Sequence, residues 1–368
     1  MTAGTERAWR EIDAAALAHN VSALRGAMPP GCELMAVVKA DAYGHGAAAI
    51  VPQLLSLGVH AFAVATLDEG AQLRALGADG TVLILGYTPP ERAGELARLG
   101  LTQTVADLAH AKALNAQGVP LRVHLKIDTG MHRLGLAWDA PEEALAVFRM
   151  ENLTVGGMYS HLCCADSLAP DDVSFTGKQI RRFRSLTSAL AARGISLPKL
   201  HLQSSYGFLH YPELRFDYAR IGIALYGAAE GAAARSLGLR PVLSLKARIA
   251  TVRTVAKGES VGYSRAFTAR RETRIAILPI GYADGYPRAL SNTGLVRLRG
   301  RLAPVAGRVC MDQLAVDVTD ISEAAVGDVA ELIGDASPLR AGEVAARCGT
   351  IPNELLSRLG TRLPVIVK

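Results

Sequence analysis

Residues 34–46 read LMAVVKADAYGHG, an apolar run that ends at a lysine and continues into a polar segment containing glycine. The run LMAVV is continuous rather than alternating, which is typical of a strand buried on both faces. The chain leaves this strand at Lys39, and a helical pattern, AAAIVPQLLSLG, follows at residues 47–58. A buried strand, a loop and a helix in this order predict the first unit of an α/β fold.

Seven further apolar runs follow within the first 226 residues, and most are separated by helical patterns such as DEGAQLRALG at residues 68–77. Such alternation indicates right-handed βαβ units and a parallel sheet. Eight units predict a closed (β/α)8 TIM-type barrel with its functional groups at the carboxyl ends of the strands. A doubly wound open sheet is the alternative, although no G-x-G-x-x-G follows the first strand. The predicted strands are LMAVV from Leu34, AFAVA from Ala61, VLIL from Val82, QTV from Gln103, RVHLKI from Arg122, VGGMY from Val155, KLHLQ from Lys199 and IGIAL from Ile221.

The pattern changes near residue 238. Short alternating runs such as TRIAILPI and QLAVDV are then broken by Gly, Pro and Asp, which is typical of an antiparallel β domain. Only AGEVAARCG and PNELLSRLG near the end have helical patterns. We therefore expect a barrel domain at residues 10–238 and a mainly β domain at residues 239–368, with the first residues of the chain as a candidate addition to the β domain.

Composition and charge restrict the class of protein. Half of the 368 residues are hydrophobic and 20% are charged, so the chain can bury a core. The absence of an apolar run of membrane length and of a signal-peptide pattern predicts a cytoplasmic protein without a membrane span. Five cysteines without zinc-type spacing indicate reduced thiols and no metal site. The net charge of +6 is dispersed and only 5% of residues are aromatic, so an anionic small molecule is favoured over nucleic acid.

Lys39 is the first candidate for chemistry. A lysine at the rim of a barrel can be desolvated, which lowers its pKa from an ordinary value of about 10.4 and makes it a nucleophile or a base. Its position alone is equally compatible with a side chain that extends into water. The residues around it are needed to distinguish the two.

The stretch VVKADAYGHG, residues 37–46, resembles the pyridoxal-phosphate lysine motif of the alanine racemase family. Other motifs similar to that family's occur in the same order in both halves of the chain. The family's fold, a barrel followed by a β domain, agrees with the fold predicted from the periodicity. The further motifs are KIDTGMHRLG, SHLCCAD, HLQSSYG, ARIGIALYG, VGYSRAF, GYADGYPR and GRVCMDQ.

The resemblance implies a role for each matched residue, with pyridoxal 5'-phosphate as cofactor. Lys39 forms the Schiff base with the cofactor, and Tyr263 is the second catalytic residue, contributed by the partner subunit of a homodimer with shared active sites. By the same resemblance, the cofactor phosphate is expected to contact Tyr43, Ser205, Gly222 and Ile223, and the cofactor ring is expected to contact His161. The pyridine nitrogen is expected to face Arg220, with His201 beside it. The substrate is expected to contact Arg133, Tyr282 and Met311.

The implied reaction interconverts L-alanine and D-alanine, the latter for the cell wall. Racemization requires two bases on opposite faces of the substrate, which are Lys39 and Tyr263 of the partner subunit. A tyrosine with an ordinary pKa of about 10 needs a nearby cation to act as a base, and Arg133 and Arg265 are candidates. An Arg opposite the pyridine nitrogen should keep that nitrogen unprotonated and so limit transamination.

Position alone leaves other pairings open. Arg220 could pair with Asp217, and Lys126 with Asp128. In some members of the family the lysine at the place of Lys126 is carbamylated, which is an equally open alternative. Asp312 is expected to be structural.

The chain departs from most alanine racemases at three positions. Asn353 replaces a tyrosine, and Gln203 and Ser204 replace Ala and Asn, which resembles the serine-racemizing branch, although the membrane domain of some of those proteins is not expected here. Asn353 would free volume and offer an amide to a hydroxymethyl group, so serine is expected to be a substrate beside alanine. Its alternative is a cap on the helix ELLSRLG.

Two other functions remain in view. A decarboxylase of the same fold type would have an acidic pyridine partner and a catalytic cysteine motif, whereas Cys310 lies in the racemase pattern GRVCMDQ. A catalytically idle protein that binds pyridoxal phosphate would be a barrel alone, without the β domain or Tyr263.

Overall fold

The computed structural model describes residues 4–368 and places a barrel and a β domain in chain order. The first strand of the described chain, β1, is Ala8–Ile12, and eight parallel strands follow it. The barrel closes because the eighth of these parallel strands pairs with the first and the fourth pairs with the fifth, which confirms the predicted (β/α)8 class and excludes the open sheet. The barrel strands are β2 Glu33–Val37, β3 Ala61–Val64, β4 Thr81–Ile84, β5 Thr102–Val105, β6 Leu121–Asp128, β8 Leu153–Tyr159, β9 Lys199–His201 and β10 Tyr218–Ile221, and the two-residue strand β7, Leu136–Ala137, extends β6.

The last barrel strand differs from its prediction. IGIAL was expected to be the strand, but β10 is YARI, which begins three residues earlier and ends at Ile221, the first residue of IGIAL. The chain turns at Gly222, where the Leu225 amide donates to the Gly222 carbonyl oxygen at 2.8 Å. Ile223, Ala224 and Leu225 are buried in this turn rather than in a strand. For this reason hydrophobicity alone predicted the last strand three residues too late.

Helices pack around the barrel through apolar faces, as the helical periodicity predicts. Thr66 begins one of them with a capping box, in which the Thr66 hydroxyl accepts from the Glu69 amide and the Glu69 carboxylate accepts from the Thr66 amide. The helices are α1 Ala14–Ala27, α2 Lys39–Gly44, α3 Ala47–Ser56, α4 Leu67–Ala75, α5 Ala93–Arg98, α6 Leu108–Asn115, α7 Pro141–Phe148, α8 Pro170–Ala192, α9 Ser205–His210, α10 Ala232–Ser236, α11 Ala341–Arg347 and α12 Pro352–Ser357.

The short element α2 is a left-handed turn, not an ordinary helix. Its residues Ala40 to Tyr43 have φ between 52° and 55°, a backbone region that residues other than glycine rarely adopt. Surrounding hydrogen bonds hold the turn, since Asp41 accepts from the Ala47 amide at 2.7 Å and the Glu69 carboxylate accepts from the Ala40 amide at 2.6 Å. The strained turn therefore directly follows Lys39.

The second domain is mainly β, as predicted, and it includes β1 from the N-terminal part of the chain. Its other strands are β11 Leu243–Arg248, β12 Thr251–Val255, β13 Ser260–Val261, β14 Phe267–Thr268, β15 Thr273–Leu278, β16 Leu295–Leu298, β17 Arg301–Pro304, β18 Leu314–Asp317, β19 Val329–Ile333 and β20 Val365–Val367. A six-stranded sheet has the order β17-β16-β19-β11-β1-β20, and smaller sheets of three and two strands complete the domain.

The β domain is tied to the turn after Lys39. Arg10, on β1, donates to the Gly44 carbonyl oxygen at 2.8 Å and to the Leu363 carbonyl oxygen at 3.0 Å. Helix α12 packs directly on α2, and a Cβ on Gly44 would lie 1.9 Å from the Leu356 carbonyl oxygen. The position of α12 is therefore coupled to the position of the Lys39 turn.

Replacing Gly44 with alanine tests this contact. Residue 44 has φ +75°, so the substitution adds backbone strain of about 1 kcal/mol to a clash with backbone that cannot move freely. We expect a loss of at least about 3 kcal/mol in the free energy of unfolding, measured by urea denaturation. Gly118→Ala is the matched control, because Gly118 has φ +67° and open space around it, so only the strain of about 1 kcal/mol applies. Equal losses in the two variants would contradict the packing argument.

No helix within residues 4–368 combines the length and apolar character needed to cross a membrane.

Candidate active site

A cavity of about 520 Å³ lies at the carboxyl ends of the barrel strands. Most of the residues expected to act on cofactor or substrate line it, although they come from distant parts of the sequence. His201 does not line the cavity but contacts Arg220, which does. Three predicted residues of the β domain, Tyr263, Tyr282 and Met311, do not line it. The predicted residues that line the cavity are Lys39, Tyr43, Arg133, His161, Ser205, Arg220, Gly222, Ile223 and Asn353.

Lys39 enters the cavity from the end of β2. Burial, and after it the positive charge of Arg133, lowers the pKa of Lys39. The carboxylate of Glu69 opposes these effects, and it also accepts hydrogen bonds from the amides of Ala40 and Ala65 at 2.6 and 2.7 Å. Lys39 is thus a lysine with an increased neutral fraction on a firmly held turn, which is what a nucleophile or base requires.

Arg220 is buried and all of its hydrogen-bond acceptors are neutral. It donates to the Ser160 carbonyl oxygen at 2.8 Å, to His201 Nδ1 at 2.9 Å and to His161 Nδ1 at 3.2 Å. The alternative pair with Asp217 does not form, because that carboxylate accepts from the Leu200 amide at 2.6 Å. Burial lowers the pKa of Arg220 to about 10, so the residue remains a cation at neutral pH.

The histidines behind Arg220 are held in one tautomer. Because a guanidinium only donates, His201 Nδ1 must accept, so His201 Nε2 carries the proton and donates to His124 Nδ1 at 2.9 Å. Burial, followed by the charge of Arg220, lowers the pKa of both His201 and His124, which keeps both rings neutral. Arg220 is therefore fixed by a chain of neutral imidazoles, with no carboxylate to offset its charge.

Tyr159 forms the floor of this arrangement. Its ring stacks on His201 with centroids 4.7 Å apart, and the Arg220 guanidinium lies 4.9 Å from its centroid. Strand register explains the arrangement, since Lys126, Tyr159 and His201 are direct partners on three neighbouring strands. Tyr159, His124 and Glu69 were not among the residues predicted from the sequence. Two of them carry a signal there, because His124 is a polar residue two positions before Lys126 on the same strand and Glu69 has capping-box spacing from Thr66.

Lys126 is buried, and no carboxylate within residues 4–368 forms an ion pair with it. Its ammonium donates to the Ile127 carbonyl oxygen at 2.8 Å, and burial, followed by the charge of Arg220, lowers its pKa to about 7. The proposed pair with Asp128 does not form. That carboxylate instead accepts from the amides of Gly130 and His132 and faces the His132 ring at 3.0 Å.

The other end of the cavity combines hydroxyl groups with a glycine turn. Ser205 Oγ accepts from the amides of Gly222 at 3.0 Å and Ala224 at 3.3 Å, which leaves its own proton to donate. The Tyr43 hydroxyl would be 2.6 Å from a Cβ on residue 222, so glycine is required there. The Gly222 amide, expected to face a phosphate, is thus directed at Ser205 in this structure.

The charge of the cavity fits a phosphate and a carboxylate. The lining residues include four basic side chains, Lys39, Lys126, Arg133 and Arg220, and one carboxylate, Asp166. Such an excess of positive charge in a partly buried cleft favours anionic ligands. Within residues 4–368 no group of three or more His, Cys, Asp or Glu side chains could hold a metal ion. The residues present therefore fit pyridoxal phosphate and an amino acid.

Asn353 lines the cavity rather than capping a helix. Helix α12 begins at Pro352, with Ile351 at the cap position, so Asn353 lies within the first turn. Proline suits that first position because its missing N–H is not needed there. The structure places the Asn353 amide where it can contact a ligand, and it does not support the capping alternative.

Three predicted residues lie on the surface of the β domain and do not line the cavity of their own chain. Tyr263 is 70% exposed, Met311 53% and Tyr282 43%. The Tyr282 amide donates to the Cys310 carbonyl oxygen at 3.0 Å, which brings Tyr282 next to Met311. Neighbouring Asp312 pairs with Arg362 at 2.9 Å, the structural role expected of it. Tyr282 and Met311 are therefore neighbouring, exposed side chains on this domain.

Comparisons with known proteins agree with these motifs. The family model described as alanine racemase, N-terminal domain, matches residues 12–230, and that described as alanine racemase, C-terminal domain, matches residues 242–367. The serine/alanine racemase of Enterococcus gallinarum is 42% identical over 371 aligned residues, which cover 100% of this chain and 52% of that protein. The chain thus spans about half the length of the Enterococcus racemases that it matches.

Other relatives match along their whole length. The alanine racemase of Desulfovibrio desulfuricans is 41% identical over 365 residues, covering 97% of this chain and 96% of that protein. The solved structure of the Clostridium difficile 630 alanine racemase has a TM-score of 0.93 at 31% identity, covering 99% of this chain and 96% of that one. Members of the family depend on pyridoxal phosphate. The chain belongs to the alanine racemase family.

Proposed function

We propose that this protein is a pyridoxal-phosphate-dependent racemase that interconverts L-alanine and D-alanine and also accepts serine. The observation that carries the proposal is the pairing of Lys39, whose pKa is lowered, with Arg220, a buried cation that has only neutral partners, in one cavity. A homodimer with shared sites, located in the cytoplasm, completes the proposal.

The cavity offers a group for each part of the cofactor. Lys39 would bind the aldehyde carbon and Arg220 would face the pyridine nitrogen, while His161 would lie against the ring. Ser205 and Tyr43 offer hydroxyl donors for the phosphate, together with the Ile223 amide and the Gly222 amide once it is released from Ser205. When bound, pyridoxal phosphate supplies an electron sink for the charge left on Cα after proton removal.

Two residues would move the proton at Cα. Lys39 takes or returns it on one face, because its lowered pKa provides a neutral amine. Tyr263 of the partner subunit acts on the other face, and its exposure on the β domain supports a role outside its own chain. Arg133, which lines the cavity, would hold the substrate carboxylate and favour the phenolate form of the tyrosine.

Arg220 would direct the outcome of the reaction. A cation that keeps its proton cannot protonate the pyridine nitrogen. More of the negative charge would then stay on Cα, and the returning proton would be added at Cα. The pKa values of His201 and His161 are lowered as well, so at neutral pH both rings are neutral and too weakly acidic to protonate the nitrogen. A decarboxylase would have an acidic pyridine partner, whereas the residue at this place is Arg220, whose hydrogen-bond acceptors are two histidines and two carbonyl oxygens.

The function is tested by incubating the enzyme and pyridoxal phosphate with L-alanine in deuterium oxide. We expect D-alanine to appear with deuterium at Cα and without release of CO2, because the hydrogen delivered to Cα comes from a side chain whose own hydrogen exchanges with the solvent. L-Aspartate and L-lysine in parallel reactions define the specificity. Release of CO2 would identify a decarboxylase, and binding without exchange an idle protein; either result refutes the proposed racemase.

The serine activity is tested with Asn353→Tyr. The smaller Asn353 leaves room for a hydroxymethyl group and can donate to its oxygen, whereas tyrosine fills that space. We expect the ratio of kcat/KM for L-serine to that for L-alanine to fall roughly five- to tenfold, since one hydrogen bond contributes about 1 kcal/mol. Asn353→Ala, which keeps the space but loses the amide, separates the two contributions. A wild-type value for serine thousands of times below that for alanine would eliminate serine as a substrate.

A further inference from the structure

Two adjacent cysteines, Cys163 and Cys164, lie in the loop that follows β8. Cys163 is exposed and lines the cavity, and Cys164 is half-buried beside it. Neither thiol is used in the proposed reaction. The other three cysteines of the chain, Cys32, Cys310 and Cys348, are separated from one another in sequence and do not line this cavity.

The local backbone brings the two thiols to one side. In an extended strand, neighbouring side chains point in opposite directions, but this segment is a bend that continues into a turn closed by the Ser167 amide and the Cys164 carbonyl oxygen at 3.1 Å. The Cys164 thiol is near enough to contribute to the raised pKa of Cys163, whose largest cause is burial. The two sulfurs are therefore neighbours.

Helix α8 confirms this placement. The Cys163 thiol lies 3.4 Å from Gln179 Oε1, and the Cys164 thiol lies 3.4 Å from Thr176 Oγ1. Residues 176 and 179 are one turn apart and share a face of the helix, so the thiols that contact them are side by side. Hydrogen bonds of a thiol are weak, and a stronger ligand can replace them.

We infer that Cys163 and Cys164 form a dithiol site for trivalent arsenicals at the wall of the active-site cavity. An aryl arsenic dihydroxide reacts with both thiols. Two As–S bonds form, two As–O bonds break, and each thiol proton leaves with a hydroxide as water, with no change in oxidation state. The aryl group on the arsenic would then lie at the cavity wall that Cys163 shares with His161 and Asp166.

The chelate would disturb the site through Gln179. This fully buried side chain accepts from the Cys163 amide at 3.0 Å and donates to the His161 carbonyl oxygen at 3.1 Å. A ring that includes both sulfurs pulls the loop away from α8, and His161 moves with it. Loss of racemase activity is therefore expected in addition to binding, and this second result rests on the proposed function.

The test is phenylarsine oxide added to the holoenzyme in the presence of excess glutathione. Intact mass is expected to show one phenylarsenic group per chain, removed by 2,3-dimercaptopropanol, with activity lost and regained in parallel. In Cys163→Ser and in Cys164→Ser, half-saturation should need about 100-fold more reagent, because a single thiol loses the chelate effect. Cys310→Ser is the control and should bind as the wild type does.

Two outcomes would overturn the site. One is a wild-type chain that keeps no arsenic under excess glutathione, and the other is unchanged binding in both serine variants. Binding without inhibition would retain the dithiol site and reject its effect on catalysis. Failure of racemization in untreated enzyme would concern the proposed function alone, because the mass measurement does not depend on it.

Discussion

Lys39→Ala is expected to lower racemization of alanine by at least about 10⁴-fold, because one residue would both bind the cofactor covalently and act as a base. The near-ultraviolet band of the lysine-bound cofactor, which borohydride reduction abolishes in the wild type, should be missing from the variant. Both effects have one cause, the loss of the amine at the carboxyl end of β2.

The control for this variant is Lys112→Ala. Lys112 is exposed on α6 and does not line the cavity, so its loss should change neither the band nor the rate. Addition of methylamine to the Lys39→Ala enzyme is expected to restore part of the rate, because a free amine can replace the missing base. A band that persists and remains sensitive to borohydride in Lys39→Ala would show that another lysine binds the cofactor, and Lys126 would be the first to examine.

The fold was predictable because its signals are local. Each barrel strand except the last lies where its apolar run predicts, even the half-polar QTV, which is buried as part of β5. The last strand was misplaced because Arg220, a charged residue, lies within it, and its charge is accommodated by carbonyl oxygens and histidines from neighbouring strands. Hydrophobicity cannot reveal such partners.

The site was predictable only in part, for the same reason. The motifs identified the groups that line the cavity, and strand-end positions alone indicated Lys39 and Lys126. The left-handed turn after Lys39 was not predictable, because Glu69 and Arg10, which hold it, are distant in sequence. The neutral chain from Arg220 through His201 to His124 likewise depends on strand register, which a single strand pattern does not contain.

The position of Asn353 could not be decided from its neighbours in the sequence. Asparagine before ELLSRLG fits a helix cap, but Pro352 starts the helix and places Asn353 inside it. The packing of α12 on α2 then brings that first turn to the cavity. The cavity is thus lined by both domains of one chain, and its polarity depends on a contact that no local pattern indicates.

Mixed dimers provide the sharpest test of the shared site. One protomer carries Lys39→Ala and its partner Tyr263→Phe, each with a different affinity tag, and tandem purification isolates dimers with one of each. The racemization rate of each parent homodimer should be at least about 10²-fold below that of the wild type, because each parent lacks one of the two bases in both sites.

The mixed dimer should recover about half of the wild-type activity, since one of its two sites then combines an intact Lys39 with Tyr263 of the partner subunit. The other site carries both substitutions and contributes nothing. If Tyr263 instead served its own chain, each site of the mixed dimer would have one defect and no activity would return. The exposure of Tyr263, at 70%, and its absence from the cavity of its own chain lead us to expect the recovery. Because each parent should retain at most about 1% of the wild-type activity, recovery well above that level distinguishes the two arrangements.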